Sequence, residues 1–217
     1  MRYGQIVGNK RMNECIHRCF EHLVDVDVTK FVKQFKDHHG SEDQTMHTFR
    51  ELVLGAFLGS NDLKVRHDYD VAGQTPDWCI MNDESRPKCI VELVNFHIDA
   101  RIQDRIKTQI RDNGIATYFI LNDERLYDRI WTKASKYRAL AQEHNLAYVV
   151  SVFGAFDADV ELNDVCKCLF DNEKGLFGLY PMMSGLLFFT TFSGDHHFVY
   201  LGNPEATSKI DLPQGVF

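Results

Sequence analysis

Asp77 follows Pro76 directly, and fifteen residues later Glu92 stands alone among apolar neighbours in "KCIVELVNF". Alternate residues of a strand share a face, so Glu92 faces with Ile90 and Val94, and Asp77 faces with Cys79. If the two strands are neighbours, the carboxylates meet across the ladder with Cβ atoms roughly 5 Å apart. Two half-buried carboxylates that close repel each other and are costly to desolvate. A divalent cation relieves both problems, and Mg²⁺ favours a few carboxylates plus waters, which leaves room for a phosphate oxygen. The chemistry is then metal-assisted attack of water on a phosphoryl group. The competing reading is structural: Asp77 caps the backbone after Pro76, and Glu92 pairs with an arginine. The order of the two carboxylates, behind a helix that carries Glu51, favours the metal site.

Several elements must position these groups. Residues 11–24 and 29–35 read as short helices from their apolar spacing. Ser41 is an N-cap for a helix over "QTMHTFRELVLGAFLG", with Met46, Phe49, Leu52, Val53 and Phe57 on one side and Glu51 near the edge of that stripe. "DLKVRHDYDVAG" alternates as a half-buried strand, with Leu63, Val65 and His67 on one face. "QTPDWCIM" is the next strand, with Pro76 at its start, where a missing N–H matters least. The third, "KCIVELVNF", is apolar on both faces apart from Glu92, which places it at the centre of a sheet. A helix closed by Gly114, a strand over residues 116–121, one long helix over residues 123–145 and a buried strand "LAYVVSVF" follow. A short helix "LNDVCKCLF" leads to a hairpin of "SGLLFFTTF" and "HHFVYLG". The residues from Asn203 read as an extended arm. The expected fold is α/β, a mixed central sheet flanked by helices with a C-terminal β-hairpin extension. Residues 1–40 form an N-terminal helical segment, 41–172 the α/β core, and 173–217 the hairpin and arm packed on it.

Composition narrows the function classes. The 217 residues are 44% hydrophobic and 12% aromatic, enough for a packed core. A net charge of −7 argues against broad basic wrapping of nucleic acid, though it suits a site that collects a divalent cation. The six cysteines form no CxxC pair, and the ten histidines show no zinc-ligand spacing. The N-terminus lacks a signal-peptide apolar stretch, and the apolar run 176–192 is broken by Pro181, Ser184 and Gly185. The expectation is a soluble, cytoplasmic protein with no membrane partner.

Pro76-Asp77 followed by Glu92-Leu93-Val94 resembles the motif of the PD-(D/E)XK nuclease superfamily, and Glu51 in "FRELVLGAFLG" resembles the carboxylate many members carry on the helix before the sheet. The similarity covers about residues 45–153. It implies a restriction-endonuclease-like core and a Mg²⁺-dependent (or Mn²⁺-dependent) phosphodiesterase acting on nucleic acid, DNA first, with a homodimer as one form of assembly. In that scheme Asp77, Glu92 and Glu51 hold the metal. The departure is Val94, which stands where active members have a lysine that orients the attacking water and stabilises developing charge. A displaced cation would restore the role. Lys107 and Lys133 are the catalytic candidates, with Arg105 beside the first and Lys136 behind the second, and Gln103 and Gln109 could position water. Arg125, Arg129 and Lys133 make an i, i+4 stripe that also reads as a solvated helix face. Asp68 and Asp70 read either as outer groups of the site or as surface charges, and His97 as a hydrogen bonder at the strand end. The alternative function is a catalytically degenerate module that binds nucleic acid or a protein. A nucleotide-binding α/β protein ranks below both, since no Gly-rich phosphate loop occurs.

Overall fold

The computed structural model describes residues 5–96, 100–116, 123–155, 160–171 and 174–217. Residues 117–121 of the expected strand, His97 and the Gln103 side chain lie outside that set. Asn9 caps α1 (Lys10–Phe20), its side chain accepting from the Met12 N–H. A second helix, α2 (Asp25–Asp37), starts with Asp25 and Asp27 in its first turn, where carboxylates complement the helix dipole. Ser41 caps α3 (Glu42–Ser60) as its sequence suggests. Residues 51–58 of α3 are buried without interruption, so this helix is covered on all sides and seats on the sheet.

The sheet has seven strands in chain order. β1 (Val65–His67), β2 (Trp78–Met81) and β3 (Pro87–Phe96) form an antiparallel meander. β4 (Ala147–Gly154) runs parallel to β3, and β5 (Gly185–Phe192) runs parallel to β4. Parallel neighbours need long crossovers, and these carry the remaining helices. α4 (Ala100–Asn113), α5 (Asp123–Lys136) and α6 (Arg138–Glu143) lie between β3 and β4; α7 (Leu162–Phe170) and α8 (Leu176–Leu179) lie between β4 and β5. β6 (Asp195–Gly202) returns antiparallel through a two-residue turn, Ser193 and Gly194, both at positive φ as such a turn requires. The hairpin continues the main sheet instead of lying against it, because β5 pairs with β4.

Side-chain contacts assign the two faces. Trp78 Nε1 donates to the Glu51 carbonyl, and Phe57 stacks on Phe198 at 3.7 Å, so α3 covers one face. Arg125 sits 4.4 Å from the Phe96 ring centroid, and the Tyr148 hydroxyl donates to the Lys133 carbonyl, so α5 covers the other. β4 is buried at all eight positions between these layers.

Two expectations need correction, and one short helix goes unannounced by the sequence. The long helix over residues 123–145 breaks at Tyr137, whose hydroxyl donates to the Thr75 carbonyl and whose ring meets Tyr148 edge-on at 6.2 Å. Those tertiary contacts override local helix propensity. The four-residue α8 carries no periodicity long enough to read. The arm after Asn203 ends in β7 (Gly215–Val216), which pairs with His197 and Phe198 of β6. Asn203 itself is buried, its amide donating to the carbonyls of Phe177 and Met183.

Gly55 is where α3 approaches the sheet most tightly: a Cβ there would stand 1.9 Å from Trp78 Cζ2. Trp78 is fully buried and held by its own hydrogen bond, so it has little room to retreat. Gly55→Ala is therefore expected to cost about 1–3 kcal/mol, as overpacked cores do. A urea midpoint equal to that of the parent chain would refute this packing.

Candidate functional site

The β2–β3 register pairs Trp78 with Val91 and Cys79 with Ile90, which sets Asp77, one residue before β2, opposite Glu92. The ladder is completed there by side chains. The Asp77 N–H donates to Glu92 Oε1 at 3.0 Å, and the Leu93 N–H donates to Asp77 Oδ2 at 2.7 Å. Each carboxylate is thus fixed by a main-chain N–H of the opposite strand. Trp78 and Val91 face α3, so Asp77 and Glu92 face α5.

What meets them comes from the last turn of α5. Lys133 Nζ lies 2.7 Å from Glu92 Oε2 and 3.6 Å from Asp77 Oδ2, and Lys136 Nζ lies 3.1 Å from Glu92 Oε2. The Glu92 side chain is fully buried, whereas 20% of Asp77 and 26% of Lys133 remain exposed, so the cluster opens to solvent on the Asp77 side. Burial works against a charge on Lys136, but contact with Tyr137 and the Glu92 carboxylate outweighs it and holds the ammonium above the usual lysine range. Two tyrosines seat the helix end: Tyr148 through the Lys133 carbonyl, and Tyr137 through the Thr75 carbonyl, two residues before Asp77.

Of the expected site residues, Asp77, Glu92 and Lys133 come together, and Lys136 joins them. Val94 is buried, and the cations beside Glu92 come from α5. Glu92 pairs with lysines and, among the described residues, with no arginine. Lys107 and Arg105 are exposed on α4, and no hydrogen bond or ion pair joins them to either carboxylate among the described residues. Gln109 is exposed as well, and Asp70 accepts from the Gly73 N–H in a turn.

Glu51 takes a different place from the one expected. It is buried on the α3 side, with Oε1 3.0 Å from His67 Nε2. Burial pushes its carboxyl up; the His67 hydrogen bond opposes that shift, and the charge of nearby Asp77 adds to it. His67 Nδ1 in turn lies 3.4 Å from Asp68 Oδ2. One ligand atom from each of Glu51, His67 and Asp68 lies within 4.8 Å of the others, so this triad has the donor set to hold a metal ion. Sequence reasoning did not find it. Its one signal is the inward-facing position of His67, since a buried imidazole needs a partner.

The lysine contacts can be weighed directly. A double-mutant cycle of Glu92→Gln with Lys133→Met is expected to give a coupling of about 0.5–3 kcal/mol in urea unfolding, as for residues in one ion-pair network. The same cycle with the more exposed Lys136 should give less. Additivity for Lys133 would remove it from the cluster. No family model, curated protein or solved structure matches the chain, so a functional reading rests on this geometry alone.

Proposed function

We propose that this protein is a divalent-metal-dependent phosphodiesterase of the PD-(D/E)XK kind acting on nucleic acid, DNA in the first instance, with Lys133 in the role of the motif lysine. The observation that carries the reading is the Lys133 ammonium, 2.7 Å from Glu92 and 3.6 Å from Asp77. The element order adds support: a buried helix, a three-stranded meander, crossover helices and a strand parallel to the third.

Mg²⁺ or Mn²⁺ would be held by Asp77 and Glu92. The donor set fits, since both carboxylates face one side and Asp77 Oδ1 accepts no hydrogen bond from any described residue. When bound, such an ion supplies Lewis acidity at a phosphoryl oxygen and acidifies a coordinated water. The chain's own groups do the rest. The Leu93 and Asp77 N–H groups hold the two carboxylates in place. Lys133 carries fixed positive charge beside them, where negative charge develops on the phosphoryl oxygens as water attacks. With a net charge of −7, attraction of a phosphate strand depends on local cations, and Lys133, Lys136 and Arg129 on α5 supply them.

A second reading follows from one observation. Two ammoniums already balance two carboxylates, so the cluster is electrostatically complete as an ion-pair network. The chain would then be a nuclease-like module that binds nucleic acid or a protein without cutting.

Cleavage of plasmid and oligonucleotides with Mg²⁺ or Mn²⁺ separates the two. Lys133→Met should lower the rate on the order of 10²–10³-fold, the loss typical of one charge-stabilising donor. Asp77→Asn and Glu92→Gln should each abolish cleavage, and Lys107→Ala should leave it unchanged. Cleavage that survives both carboxylate substitutions removes the proposed site. No cleavage with either ion, alongside retained oligonucleotide binding, selects the module.

A further inference from the structure

The geometry points to a second metal site, formed by Glu51, His67 and Asp68 on the α3 side of the sheet, that takes a borderline first-row divalent cation such as Zn²⁺. It goes beyond the reading of the Asp77–Glu92 pair and uses none of its residues.

Three independent features converge on it. The first is the donor set: one imidazole nitrogen and two carboxylate oxygens, all within 4.8 Å of one another. A mixed nitrogen and carboxylate set suits zinc-like ions better than Mg²⁺, which prefers oxygen alone. The second is an orphan. His67 is fully buried, and its Nδ1 makes no hydrogen bond. Its Nε2 is engaged by Glu51 Oε1 at 3.0 Å. If Nε2 carries the ring proton, Nδ1 is a bare acceptor with Asp68 Oδ2 3.4 Å away and no hydrogen bond between them. Two acceptors that close, one of them buried, favour a cation beside both.

The third feature is how Asp68 gets there. Asp68, one residue past β1, and Asp77, one residue before β2, stand opposite each other, with the Asp68 N–H donating to the Asp77 carbonyl at 3.3 Å. A regular strand would send the Asp68 side chain to the face opposite His67. Instead Asp68 adopts φ 45°, a left-handed conformation unusual for a non-glycine residue, and its carboxylate stands beside the ring. The ring is fixed as well, 4.2 Å from Phe31 and 5.1 Å from Trp78 by centroid, so the ligands are preorganised. Asp68 is 38% exposed and provides the entry path.

The test is calorimetric titration of the chelator-treated full chain with Zn²⁺, with thermal unfolding as a second readout. The wild type should bind Zn²⁺ and melt higher in its presence, as binding to the folded state requires. His67→Gln and Asp68→Asn should each weaken that binding at least tenfold, and Lys107→Ala, exposed and outside the triad, should leave it intact. His67 is fully buried, so its variant can fail to fold. Asp68→Asn then decides, because asparagine accepts the left-handed conformation and the side chain is part exposed. No Zn²⁺ binding, binding unchanged in the folded variants, or binding that falls in Lys107→Ala overturns the site.

Discussion

A carboxylate with no solvent exposure sits in the middle of a central strand, and much of the molecule is arranged around it. Glu92 is flanked in the sheet by Val91 and Leu93 and faces Val150 on β4, none of which can solvate a charge. An isolated buried carboxylate would be forced to neutralise. Here one oxygen takes a main-chain N–H and the other takes two ammoniums. That arrangement requires α5 to end above β3, which in turn requires the crossover to bring its last turn across the sheet. Tyr137 and Tyr148 hold that turn down, and the break after Lys136 lets the chain leave for α6 without lifting the lysines. The register of β2 on β3 is pinned at the same point, since a slip by one residue would carry Asp77 or Glu92 to the α3 face.

Buried polarity on the α3 face is organised by a second carboxylate. Asp27 on α2 is fully buried and accepts from the His67 N–H and from Arg66 Nε, both at 3.2 Å. Lys30 reaches across to the His67 and Asp68 carbonyls. These contacts fasten α2 to the end of β1, so the His67 ring is gripped through its backbone as well as by Phe31 and Trp78. The two polar clusters are separated by the sheet but joined at one point, where Asp68 and Asp77 share a main-chain hydrogen bond. Burial raises the Glu51 carboxyl most, and the Asp77 charge reaches far enough to add to that.

The parts legible in the sequence are those governed by local period. Alternation in "KCIVELVNF" and the position of Pro76 placed Asp77 opposite Glu92, and the register agrees. Ser41 announced α3, and the segments "SGLLFFTTF" and "HHFVYLG" announced the hairpin. Lys133 was recoverable only as one of several cations, because which helix face ends above β3 depends on the crossover and not on the spacing within α5. Lys107 has the same residue type and a similar helical setting, yet it points to solvent. Glu51 was misplaced for a related reason: its position near the edge of an apolar stripe is compatible with either cluster, and His67 won it through a single hydrogen bond. Asp68 read only as an outer group or a surface charge, since its direction follows from one left-handed φ that nothing in "RHDYD" declares.

The outermost strands of the sheet are its shortest. β1 has three residues and β7 two, whereas β3 has ten and β4 through β6 eight each. The final residues of the chain therefore do more than trail from β6: they cap part of its free hydrogen-bonding edge, with Phe217 exchanging two main-chain hydrogen bonds with His196. A neighbouring molecule meets a three-residue edge at β1 and, at the other end, a β6 edge already closed from His196 to Phe198. The long apolar strands that would template aggregation are kept inside, and the last few residues act as a guard against self-templated stacking.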